Sequence, residues 1–136
     1  MKSIRYILLL AATLMTLGAS AKHMKTDRVY MFGFSASFKD SVIYVTDIQN
    51  VKGAWIETKN NFLLSRDDYS QQLKVYLEET LQQPKRVCMV FFYLDKKKAE
   101  KQFLKLMKKY QKGYDVRHVN VTEFKFDPID LSLEEQ

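Results

Sequence analysis

From Arg86 to Leu94 the chain is apolar at nearly every position, with Val87-Cys88-Met89-Val90-Phe91-Phe92 at its centre. The run is short and rich in β-branched and aromatic residues, which suits a strand better than a buried helix. A strand apolar on both faces has to be covered from both sides, which predicts a central place in a layered sheet. The flanking segments have a different period. Before the run, Tyr69, Leu73, Tyr76, Leu77 and Leu81 recur at helical spacing and Pro84 ends the pattern. Ser65, with Asp68 three residues on, resembles a capping box at the start of that helix. After the run, Asp95 is placed to cap a second helix, whose stripe is Ala99, Phe103, Leu106, Met107 and Tyr110 and whose stop is Gly113.

Two further strands come earlier. Tyr30, Phe32, Phe34, Ala36 and Phe38 alternate with smaller or more polar residues, the period of a strand. After the polar break Lys39-Asp40, the β-branched and aromatic run Ser41 to Thr46 predicts the second arm of a hairpin. Trp55 and Ile56 are expected to start a short strand, and Phe62-Leu63-Leu64 to fold back on the core. Tyr114 to Phe126 reads as a last strand, with a bulge where the apolar phase shifts between Val116 and Val119.

The expected fold is α+β: a two-layer sandwich with a mixed sheet of about four strands, elements in the order ββαβαβ, and both helices on one face. The strand-helix-strand unit from Arg86 to Phe126 should be a right-handed crossover, which makes its strands parallel. Placing both helices on one side leaves an apolar face open, marked by Tyr30, Phe32, Phe34, Phe38 and Tyr44. Its expected cover is the Trp55–Phe62 segment, a second copy of the chain in a homodimer, or a sugar stacked on the rings.

The start of the chain predicts export. Lys2 and Arg5 precede the apolar run Tyr6 to Leu17, and Ala19-Ser20-Ala21 offers small residues for a signal peptidase. The run is shorter than the roughly twenty residues a membrane span needs. Cleavage is therefore expected after Ala21, giving a signal peptide over 1–21, a flexible leader over 22–27, one domain over 28–126 and an acidic, frayed tail over 127–136. The expected destination is the periplasm or the exterior. Cleavage removes two basic residues and no acid, which leaves 20 basic against 16 acidic residues, a net charge of +4. The single cysteine, Cys88, cannot close an internal disulfide, so stability has to come from the core.

Residue patterns for chemistry are sparse. There is no glycine-rich phosphate loop, paired-cysteine metal spacing or nucleophile elbow, and no cofactor is expected. Cys88 and His118 are the first suspects for a thiol or hydrolase enzyme, which requires their strands to be neighbours and the thiol to be accessible. Asn120-Val121-Thr122 matches a glycosylation acceptor but falls inside a predicted strand.

The distinctive feature is cationic. Lys97, Lys101, Lys105, Lys108 and Lys112 step along one face of the second helix, with Lys96, Lys98 and Lys109 beside them. Eight lysines against Glu100 give residues 96–112 a charge of +7. Like charges at this spacing oppose the helix by about 0.2–0.5 kcal/mol per pair, and lysines in the first turn oppose its dipole. This arrangement predicts a non-catalytic binding module for an anionic glycan, a lipid surface or an acidic protein. Nucleic acid is not expected, because no aromatic residue is interleaved on the lysine face.

Overall fold

A computed structural model describes residues 22–132. Seven strands and two helices follow in the order β1 (His23–Thr26), β2 (Tyr30–Ala36), β3 (Val42–Thr46), β4 (Gln49–Asn50), β5 (Ala54–Glu57), α1 (Arg66–Glu79), β6 (Val87–Tyr93), α2 (Lys96–Tyr110) and β7 (Asp115–Val119). The fold is α+β, and its main sheet runs β6-β2-β3-β7, with β4 continuing β3 alongside the start of β2. β2 is antiparallel to both β3 and β6, and β3 is parallel to β7. The crossover strands β6 and β7 therefore run parallel, as expected, but β2 and β3 lie between them. The expected signal peptide, residues 1–21, lies outside the described residues.

The register explains a break in the second arm of the hairpin. Phe34 pairs with Val45 and Met31 with Gln49, so three steps along β2 answer to four along the returning chain. One residue is extra at Asp47-Ile48, and a bulge of this kind turns side chains away from the ladder.

The helices do not share a face. Met31, Gly33 and Ser35 point to one side of β2, where Tyr69, Leu73 and Leu77 of α1 complete the larger core. Phe32 and Phe34 point to the other, where they meet Phe103 and Tyr110 of α2. The expectation of two layers with both helices on one side is thus corrected to three layers, α1, sheet and α2. Each helix carries one apolar stripe and β2 and β6 are apolar on both sides, so one helix per face covers both sides of β2, while Val87 and Met89 of β6 stay exposed. The run Val87–Tyr93 is an edge strand rather than a central one, since β6 pairs only with β2. Its two-sided apolar pattern reflects coverage by helices above and below, which does not depend on having two strand neighbours.

At Gly33 the sheet and α1 lie close together. A Cβ there would lie 2.6 Å from Leu73 Cδ2 and 3.2 Å from Phe126 Cζ. Both neighbours are buried, so Gly33→Ala forces a shift in a packed core. The expected net loss is about 1–2 kcal/mol, after the small gain from removing a strand glycine. Urea unfolding of the variant checks it.

Several local expectations change. Residues 22–27 are not a loose leader, because His23–Thr26 pairs antiparallel with β5 through Ala54–Glu57. Its side chains are mostly exposed, so pairing rests on backbone hydrogen bonds that hydrophobic periodicity does not reveal. Ser65 precedes α1 as expected, but it lies in the left-handed region (φ 59°) and its side chain caps nothing. Asp95 does cap α2, accepting from Lys97 N–H at 3.0 Å.

The last strand ends at Val119, and a turn over Asn120–Glu123 replaces the expected bulge. Phe124 and Phe126 then return to the core beside Tyr76 and Tyr69 of α1. The following residues are tied down rather than frayed as far as Leu131, which is buried. Gln72 exchanges two 2.9 Å hydrogen bonds with the backbone of Asp127, and Ile129 N–H donates to the Tyr69 hydroxyl at 3.0 Å.

Candidate functional site

All five lysines of the expected row are exposed. Lys97, Lys101, Lys105 and Lys108 lie on α2 within an arc of about 80°, given 100° per residue. Lys112 lies beyond the helix end at Tyr110, in the turn that Gly113 closes with φ 94°. Leu104, 62 % exposed, sits on the same side as the row. None of the α2 lysines forms a salt bridge among the described residues, whose ion pairs are Arg86–Asp40, Arg117–Asp115 and His118–Asp47. The first turn contains no acid to balance Lys96, Lys97 and Lys98, whereas Lys108 and Lys109 in the last turn suit the dipole.

The apolar row is divided by the fold. Phe32 and Phe34 lie under α2, and Tyr30 is half-buried at the start of the same strand. The chain covers this face itself, with α2 instead of the Trp55–Phe62 segment. Tyr44 belongs to the α1 side, because it pairs with Ser35 and not with Phe34. Phe38 lies beyond the end of β2 at the hairpin tip, 98 % exposed, so it belongs to neither face.

Sequence reasoning passed over Arg86, whose side chain is only 2 % exposed. Its Nε donates to Ser35 Oγ at 3.2 Å, Nη1 approaches Asp40 at 3.3 Å, Nη2 donates to the Val42 carbonyl, and the guanidinium lies 4.9 Å from the Tyr44 ring centroid. It closes the mouth of the hairpin. The Asp40 carboxyl is held below its usual range by the Val42 N–H and by Arg86, against a smaller upward push from burial. The available signal was a lone arginine opening an otherwise apolar run.

Cys88 and His118 are not brought together. They lie on β6 and β7, the opposite edges of the sheet, and on opposite faces. Cys88 is half-buried, and its thiol donates to Ser35 Oγ at 3.5 Å. Burial pushes that thiol up and outweighs the hydrogen bond to Ser35, so the reactive thiolate is disfavoured.

His118 finds a different partner. Its Nε2 pairs with Asp47 at the bulge between β3 and β4, while Asp47 Oδ2 accepts from Val121 N–H at 2.9 Å. The pair opens on a hollow of about 450 Å³ that Phe103 and Lys125 help to line, but no hydroxyl or thiol lines it to serve as a nucleophile. Among the described residues, no group of three or more His, Cys, Asp or Glu side chains is arranged to hold a metal. No helix there is long and apolar enough to cross a membrane.

Burial raises the Asp47 carboxyl, yet the hydrogen bonds from His118 and Val121 and the charge of His118 bring it below its usual range overall. A carboxylate depressed in the folded state adds stability above its unfolded value of about 4 and loses it as pH falls through the folded value. The urea midpoint should therefore drop more steeply between pH 5 and pH 3 in the natural protein than in Asp47→Asn.

The Asn120-Val121-Thr122 sequence falls in the exposed turn rather than inside a strand. Compared with known protein families, with curated proteins and with solved structures, the chain matches none of them.

Proposed function

We propose that the protein is an exported, non-catalytic binding module that docks on an anionic envelope component or protein partner through the lysine row of α2. The observation that carries this reading is that the five exposed lysines of the row, with Lys96, Lys98 and Lys109 beside them, have no acidic partner among the described residues. The helix dipole favours only Lys108 and Lys109 of these and opposes the lysines of the first turn. Each like-charged pair at a spacing of three or four weakens the helix, and glutamates on the same face would remove the penalty. Retaining the charges is understandable if a partner neutralises them. The candidate partners share one property, a dense negative surface: a phosphorylated glycan, an anionic lipid bilayer or an acidic protein. Export rests on the leader at Lys2, Arg5 and Tyr6 to Ala21.

Binding is tested on the chain from Lys22 onward, at low salt, against anionic vesicles, neutral vesicles, phosphorylated cell-wall glycan and an acidic polypeptide. Binding to at least one anionic target and not to neutral vesicles is expected. Equal binding to anionic and neutral vesicles, or none to any target, overturns the reading.

A further inference from the structure

α2 covers the Phe32 face of the sheet incompletely. Beside edge strand β6 a hollow of about 160 Å³ remains between helix and sheet, with Phe32, Phe91 and Tyr93 on the sheet side and Lys105, Leu106 and Lys109 on the helix side. The sheet side is an ordered row of rings. Phe32 stacks on Phe91 at 5.1 Å and 19°, and on Tyr93 at 6.5 Å and 20°. Phe103 meets Phe32 edge-on at 5.2 Å, which fixes that ring from the helix side. The size is informative, because an apolar cavity of about 150 Å³ accommodates one benzene. The charge is informative too: neither lysine has an acidic partner among the described residues, and the Lys109 ammonium lies 5.3 Å from the centroid of the Tyr110 ring.

We propose that this hollow binds a small aryl anion, an aryl carboxylate or aryl phosphate, with its ring against Phe91 and Tyr93 and its anionic group on Lys105 and Lys109. The lining is mostly apolar and aromatic, with two exposed lysines on its helix side, a composition that suits a ligand site. A neutral aryl molecule fills the space without engaging the lysines. A bare inorganic anion engages the lysines and leaves the rings wet. Only the combined molecule satisfies both halves, and a flat ring suits the stacked row better than a branched chain does. Among the described residues β6 has no strand on its outer side, so the sheet edge beside the hollow is open. This inference shares only Lys105 with the docking row and stands whether or not the macromolecular reading holds.

The folded protein is titrated with phenyl phosphate, inorganic phosphate, benzyl alcohol and hexanoate, following the ring resonances of Phe91 and Tyr93 by NMR. Phenyl phosphate is expected to bind saturably and at least tenfold more tightly than the other three. Lys109→Gln should weaken it at least fivefold while leaving benzyl alcohol unchanged, and Gln102→Trp should plug the hollow and abolish binding. If the plugged variant fails to fold, Lys109→Gln decides alone. Inorganic phosphate, benzyl alcohol or hexanoate binding as tightly as phenyl phosphate overturns the proposal, as does the absence of saturable shifts at the two rings. Neither Lys109 nor Gln102 belongs to the docking row. Failed aryl binding with intact binding to an anionic macromolecular target therefore sinks this site alone, and aryl binding with no binding to any of those targets sinks only the docking reading.

Discussion

Replacing Lys101, Lys105 and Lys108 together by glutamine should lower affinity for anionic vesicles about a hundredfold without harming the fold. A lysine near an anionic membrane surface contributes about 1 kcal/mol, so three of them account for about 3 kcal/mol, or roughly two decades in affinity. The three side chains are exposed and form no ion pair among the described residues, so removing their charge breaks none there. It relieves repulsion between Lys97 and Lys101, Lys101 and Lys105, and Lys105 and Lys109, each four residues apart on α2. At a few tenths of a kcal/mol per pair, stability should rise by roughly 1 kcal/mol. The variant is therefore expected to unfold at higher urea while binding less. A purely solubilising helix exterior would show the gain in stability with no loss in binding.

The second large effect lies far from the lysines. Gln49, on β4, is 5 % exposed, and its amide grips the returning chain at two points. Nε2 donates to the Phe124 carbonyl at 3.0 Å, and Oε1 accepts from Phe126 N–H at 2.8 Å. The side chain thus satisfies a segment that belongs to no strand. Gln49→Met keeps length and fills space, but it leaves a buried N–H and a buried C=O without these partners. Each orphaned group costs about 1–3 kcal/mol, so the expected loss is about 2–6 kcal/mol. For a domain stable by 5–15 kcal/mol this is severe. Urea unfolding measures the total. Hydrogen exchange at Phe126 should accelerate more than at the β2–β6 ladder, because the segment loses its own tether.

These two effects differ in how far the sequence foretold them. The lysine row, the capping Asp95, the stripe from Ala99 to Tyr110 and the hairpin arms are local patterns, set by residues within a few positions of each other. Local period and local chemistry suffice for such features. The face chosen by each helix is different. The stripes of α1 and α2 look alike in sequence, and only the apolar content on both sides of β2 and β6 requires one helix per face. That requirement was visible as an uncovered face. The assumption that both helices lie together hid its resolution.

The path after Val119 was illegible for another reason. Val116, Val119, Phe124 and Phe126 fit a strand with a slip, but Asn120 closes a turn instead and Gln49 supplies the hydrogen bonds a neighbouring strand would have given. Gln49 and Gln72 act across 75 and 55 residues respectively, a separation at which a glutamine carries no local signal. The same holds for Arg86 and Asp40, and for His118 and Asp47, whose meeting depends on the strand order and on one extra residue in the hairpin.

The central claim is that the lysine row of α2 meets a negative partner through long-range charge. The most direct test is the affinity of the chain from Lys22 onward for vesicles rich in anionic lipid, measured from about 0.05 M salt to about 1 M, where the screening length shrinks to about 3 Å. The account predicts binding that weakens steadily with salt and vanishes at the upper end. Absence of binding at low salt to these vesicles, to phosphorylated glycan and to an acidic polypeptide alike, or vesicle binding that persists unchanged at high salt, contradicts it.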